Sequence, residues 1–180
     1  GRADRNAADL LLARLYLNAE VYTGQAQWEN AKKYAKLVMD GPHKLNTQGM
    51  NGYSAYQMLF MGDNGETSAA TEAVLPLLQD GTTTTSWGTT LFLLASTTKA
   101  DMGVFGTSEY WAGNRCRPDL IKKFFPNGGI PNGDMWSMMA AADDDRALFW
   151  GQDRSLDIED VSTFESGFSC AKFQNHYSDG

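Results

Sequence analysis

Soft-ligand chemistry is scarce in this sequence, with two cysteines and two histidines among 180 residues. Cys116 and Cys170 stand far apart, and with His43 and His176 they show none of the short spacings that a zinc site needs. The two cysteines could pair, but one pair is not a disulfide framework, so the redox compartment is left open. Long apolar runs are missing as well. Stretches such as 10–12 and 91–95 are core-sized, far below the roughly 18–20 residues that a membrane-crossing helix requires. Positive charge is also short: 15 Lys and Arg face 22 Asp and Glu, for a net charge of −7. Lys32 with Lys33 and Lys122 with Lys123 are isolated pairs. No basic patch therefore offsets the acidic surface, and nucleic acid and anionic lipid are both poor partners. At the N-terminus there is no basic and apolar leader with a cleavage site. A helical pattern starts by residue 4, and the chain reads as the middle portion of a longer protein.

Signatures of catalysis are equally sparse. A glycosidase needs two carboxylates facing each other across roughly 5–9.5 Å. Glu109, Asp134, Glu159 and Asp160 are available, but nothing in their spacing converges any two. The stretch 167–171 echoes a nucleophile elbow without its second glycine or its strand–turn–helix context. No phosphate-cradling glycine loop occurs. The expectation is a binding protein rather than an enzyme.

What is present is a chain that is 42% apolar, enough to bury a core without metals or disulfides. Residues 4–22 read as a helix, since Ala8, Leu11, Leu12, Leu15, Ala19 and Tyr22 recur at three- and four-residue steps. After a break at Thr23, Gly24 and Gln25, a second helix spans 27–40, with Trp28, Ala31, Tyr34, Ala35 and Val38 on one face. Gly41 and Pro42 then supply a stop. The pair fits a tetratricopeptide pattern. Leu15, Ala19 and Tyr22 give the first helix its large, small and aromatic positions, and Trp28, Ala31 and Ala35 give the second its own. Trp28 is expected in the core. One such unit cannot bury its own outer face, so partner repeats are expected.

Beyond residue 50 the texture changes. Short helices are expected at 53–61, 117–125 and 135–143, the second with Pro118 in its first turn. Extended segments are expected at 72–78, 91–95, 146–150 and 171–174. Between them run loops at 80–90 and 96–114, rich in Gly, Thr and Ser. Loops of this length inside a compact domain tend to carry function. They hold Trp87, Tyr110 and Trp111. These rings are the candidate platforms for a sugar, whose C–H face lies against an aromatic π-face while amides and guanidinium groups take its hydroxyls. Asn114 and Arg115 are the candidate hydroxyl partners. The competing reading is that the rings only anchor their loops. Tyr110 and Trp111 adjoin, so both are not expected to stack on one sugar. Trp136 and Trp150 read as packing residues, and Met135, Met138 and Met139 as adaptable core fillers. Asp143, Asp144 and Asp145 lack the EF-hand pattern, and a solvated helix end with Asp144 or Asp145 paired to Arg146 is expected.

The residues from Arg2 through Leu17, with Thr23, Gly24 and the run from Trp28 to Ala35, resemble the central tetratricopeptide helices of the SusD/RagB family. Asp63 with Asn64, then Glu72 to Val74, then Arg117 to Leu120 with Phe124 and Phe125 follow in that family's order. Asp144 to Arg146 and Lys172 with Phe173 complete it. The resemblance implies a mostly α fold, with a tetratricopeptide-like helix pair at 1–50 packed against a loop-rich region with a few short strands at 51–180. It implies a non-catalytic protein that binds oligosaccharides or polysaccharides. The family's members are lipid-anchored at the outer-membrane surface and pass their ligand to a SusC-like TonB-dependent transporter. No cofactor is expected; calcium, which some members hold, would find a ligand in Asp80. The alternative is a tetratricopeptide-type adaptor that binds a protein or peptide.

Overall fold

The computed structural model describes residues 3–79, 82–84, 89–103 and 105–179. By internal contacts the chain divides into Gly1–Thr47 with Gly65–Thr84, and Gln48–Asn64 with Thr85–Gly180. The stretch 65–84, grouped with the loop-rich region in the sequence reading, clusters with the helix pair.

In the first unit, α1 (Arg5–Leu17) and α2 (Ala19–Thr23) replace the single helix expected at 4–22. Asp4 caps α1 by accepting from the Ala7 amide at 2.8 Å. The break falls at Asn18, whose side-chain amide donates to the Arg14 carbonyl at 2.9 Å and so competes with the helix ladder. Gly24 closes α2 in the left-handed conformation at φ 73°. The second long helix, α3 (Trp28–Met39), packs along α1. Small residues Ala13, Ala19 and Ala31 are buried, and Tyr16 stacks on Tyr34 with ring centroids 5.5 Å apart. Such a stack adds about 0.5–1.5 kcal/mol beyond area burial. The return segment is tied back by the Lys44 amide on the Thr71 carbonyl and by the Asn46 amide on the Glu72 carboxylate.

Trp28 departs from its expected core role, being 52% exposed. Leu15 and Tyr22 are exposed as well. Two helices share only one internal face, and alanines occupy it here, so the large residues of the repeat pattern point outward.

The second unit opens with a tight turn at Asn51 and Gly52, both at positive φ, which closes paired hydrogen bonds between Met50 and Tyr53. A 3-10 turn follows at Gln57–Phe60. The stretch 91–95, expected to be extended, lies inside α4 (Thr89–Thr97). A short apolar run suits a buried strand or a helix equally. Here the Ser96 and Thr97 hydroxyls bond back to the Leu93 carbonyl, as they do in a helix. No strand forms at 72–78, which is irregular chain following a 3-10 turn at Ser68–Thr71. Helices α5 (Pro118–Phe124) and α6 (Met135–Ala142) occur where expected. Asp134 caps α6, and hydrogen bonds from the Ser137 hydroxyl and amide hold its carboxyl below the usual carboxylate range.

Strands β1 (Phe149–Trp150) and β2 (Ser169–Cys170) pair antiparallel, with Phe149 opposite Cys170 and Trp150 opposite Ser169. Arg115 bridges the other side of Ser169, so β2 has a neighbour on each edge. Alternation along these strands sorts side chains into two clusters. Ala147, Phe149, Phe168 and Cys170 join Cys116, Ile121, Phe125 and Met138. Leu148, Trp150 and Ala171 join Met102, Phe105 and Met135. Met135 and Met138 thus fill the core, and Trp150 packs edge-on against Phe105.

Met138 has no exposed surface. Met138→Ala should cost about 2–5 kcal/mol in urea unfolding, while Val21→Ala, on the open face of α2, should stay within about 0.5 kcal/mol. His176 lies half-buried, with the Tyr53 hydroxyl 3.2 Å from its Nε2. Burial holds its imidazole below the ordinary 6.5, opposed by the charge of Asp63. The unfolded chain therefore takes up this proton first as the pH falls below 6.5, and stability declines until the lower native value is passed. Denaturant midpoints followed from neutral pH to about pH 5 should fall, and His176→Gln should flatten that slope.

Candidate functional site

The C-terminal end of α4 leaves carbonyls without intrahelical donors, and the segment 111–114 fills them. The Trp111 amide donates to Ala95 at 2.8 Å, the Ala112 amide to Thr98 at 3.2 Å and the Asn114 amide to Ser96 at 2.8 Å. The Asn114 side-chain amide adds a bond to the Ser96 hydroxyl at 2.8 Å. Ala112 is buried and left-handed at φ 53°, which turns the chain between Trp111 and Asn114.

This backbone clamp presents Trp111 at the surface with 37% of its area exposed. Two contacts fix the ring. The indole N–H donates to the Glu109 carboxylate at 3.1 Å, and Phe92 meets the ring edge-to-face at 5.9 Å between centroids. Tyr110 and Phe92 are themselves exposed beside it in sequence and in contact respectively, so the apolar surface extends past a single ring. Asn114 is exposed. Trp111, Phe92 and Asn114 are thus brought together on α4 and the segment docked against it.

Arg115 serves a different purpose from the one its exposed neighbours suggest. Its guanidinium donates to the carbonyls of Thr163 and Ser166, both at 2.7 Å, and of Val161 at 2.8 Å. Its carbon lies 5.4 Å from the centroid of the Phe164 ring. Those donors hold the loop at 159–166 in shape. Asp160 supports the same loop by accepting from Ser162 and Thr163, and those hydrogen bonds hold its carboxyl below the usual range. Lys99 pairs with Glu165 from the other side. A hollow of about 300 Å³ opens here, lined by Asp153, Ser155, Glu159, Asp160 and Ser166 among others. Trp87 and Asp80 lie outside the described residues.

A larger groove of about 830 Å³ lies elsewhere in the same unit, between the Asn51–Gly52 turn and the end of α6. Trp136, read from sequence as a packing residue, is 45% exposed on its floor and tilts against Tyr53 at 5.8 Å. Asp143 to Asp145 form one rim. Asp144 is held by Arg146 at 2.7 Å, the pairing expected for this acidic helix end. The sequence signal for the groove was the Asn-Gly dipeptide, which sets Tyr53 at the mouth of a tight turn. Among the described residues no three His, Cys, Asp or Glu side chains converge as a metal site.

No protein-family model matches the chain. The starch-binding protein SusD of Bacteroides thetaiotaomicron is 35% identical over 212 aligned residues that cover 100% of this chain. The chain belongs to the SusD-like family. It spans 37% of the length of that relative. The mostly α fold with its tetratricopeptide-like helix pair accords with that membership.

Truncating Arg115 would leave three loop carbonyls without their donor. Arg115→Ala should cost about 1–3 kcal/mol and open 159–166 to proteolysis. Limited digestion with mapping of the first cut would read this directly.

Proposed function

We propose that the chain binds glycan without catalysing its breakdown, and that Trp111 is the principal platform. The observation that carries this is the ring itself: half-exposed, locked by Glu109 and Phe92, and mounted on a backbone clamp. A ring fixed before binding loses little freedom on contact with a sugar, which favours affinity. Tyr110 and Asn114 flank it, and Trp87 in the preceding loop supplies a further platform. Arg115 contributes by holding the adjoining loop rather than by reaching a hydroxyl. A relative named for starch binding supports an oligosaccharide as the ligand class. In the same reading the parent protein is a lipoprotein of the outer-membrane surface that hands its ligand to a SusC-like TonB-dependent transporter.

A second reading, a tetratricopeptide-type module that binds a protein, draws on one feature. Leu11, Leu15, Tyr22 and Trp28 form exposed apolar surface on the helix pair. The two readings use different residues and separate cleanly.

Retardation in affinity gels containing starch-type and other polysaccharides tests the first. Trp111→Ala should weaken binding by about tenfold, equivalent to about 1.4 kcal/mol for one stacking platform with its buried area. Phe92→Ala should weaken it less, since that ring only braces the platform. Unchanged retardation in Trp111→Ala would move the glycan site elsewhere. No retardation of the wild-type chain by any glycan would favour the protein-binding reading.

A further inference from the structure

Cys116 and Cys170, remote in sequence, adjoin in the fold. Arg115 bridges Ser169 in antiparallel register, and the Cys116 amide donates to the Phe168 carbonyl at 2.7 Å. That register sets residues 116 and 170 on one face as diagonal neighbours, and strand twist draws one of the two diagonals together. Both side chains belong to one apolar cluster, Cys116 within it and Cys170 packed against it. Neither is in a disulfide, and each thiol is the main influence on the other's ionisation. A single buried cysteine is ordinarily a small hydrophobe. Two thiols on one face of paired segments are a different chemical object, since a disulfide closes between them when the backbone brings the sulfurs together.

We propose that Cys116 and Cys170 form a redox-active dithiol that closes to an intramolecular disulfide by exchange with an external disulfide. Cys170 is the entry point because it is the more accessible of the two. The neighbouring Cys116 thiol lowers its thiol toward about 7, helped by Lys172 and opposed by burial. In return the Cys170 thiol, with burial, pushes the Cys116 thiol up. The Cys170 thiolate attacks one sulfur of the external disulfide and expels the first thiolate, leaving a mixed disulfide. Cys116 then loses its proton to solvent, its sulfur attacks Cys170 Sγ, and the second external thiolate departs. Two protein thiols are oxidised to one disulfide, and one external disulfide is reduced to two thiols.

The bond would fasten the strand that follows Trp111 and Asn114 to β2. Its position makes it a covalent brace beneath the segment that carries the exposed ring. It does not depend on what that ring binds.

The test is to hold the folded chain in glutathione disulfide, trap residual thiols with an alkylating agent, and measure intact mass and peptide map. Wild type should lose two hydrogens, resist alkylation, and yield a linked peptide pair containing Cys116 and Cys170. Its thermal midpoint should rise above that of the reduced chain. Cys116→Ala, which keeps the entry thiol, should stop at a glutathione adduct on Cys170. Cys170→Ala should stay largely unmodified until it is unfolded. Full alkylation of the oxidised wild type would overturn the proposal, as would a lasting glutathione adduct on it or a linkage only between chains.

Discussion

The second unit depends on β2 having a neighbour on each edge. Ser169 pairs with Trp150 on one side and bridges Arg115 on the other. Because alternate residues of a strand face opposite ways, this short ladder decides which cluster each flanking side chain enters. Phe168 and Cys170 go to one, and Ala171 goes to the other. A shift of one residue would send both sets to the wrong side, and the chain leading from Trp111 into the sheet would lose its anchor. Arg115 carries that anchor further by gathering three carbonyls of the loop beyond.

The helix pair obeys a simpler rule. Its internal face is built from alanines and one tyrosine stack, so the helices approach closely and the larger side chains are left outside. The repeat pattern thus specifies the spacing of the pair rather than the burial of every residue in it. Trp28 illustrates this, since it occupies a pattern position yet stands half in solvent.

Periodicity made α3 legible, Pro118 marked the start of α5, and these two with α6 fall within a residue or two of their expected ends. Periodicity also marked 4–22 as helical, but it could not show the break at Asn18, which comes from a polar side chain competing for a backbone carbonyl. The run at 91–95 was ambiguous because five apolar residues fit a strand and a helix alike. The exposed ring at Trp111 was legible from its polar surroundings. The role of Arg115 was not, because its partners are backbone carbonyls nearly fifty positions away, and no local pattern encodes them. Trp136, expected to pack, does rest against Tyr53 yet keeps 45% of its surface exposed. Its exposure depends on a turn at Asn51 and Gly52 that meets α6 only in three dimensions.

The bridge between Arg115 and Ser169 has a further consequence, for the order of folding. It joins segments separated by two helices and a long loop, and such distant pairings carry a heavy loop-closure cost that delays their formation. The tyrosine-stacked helix pair is local and can form early. The segment that carries Trp111 is fastened on its downstream side only when the chain around residue 169 has arrived. Ordering of the Trp111 segment therefore reports complete folding, whereas helical content would register a chain that is only partly assembled.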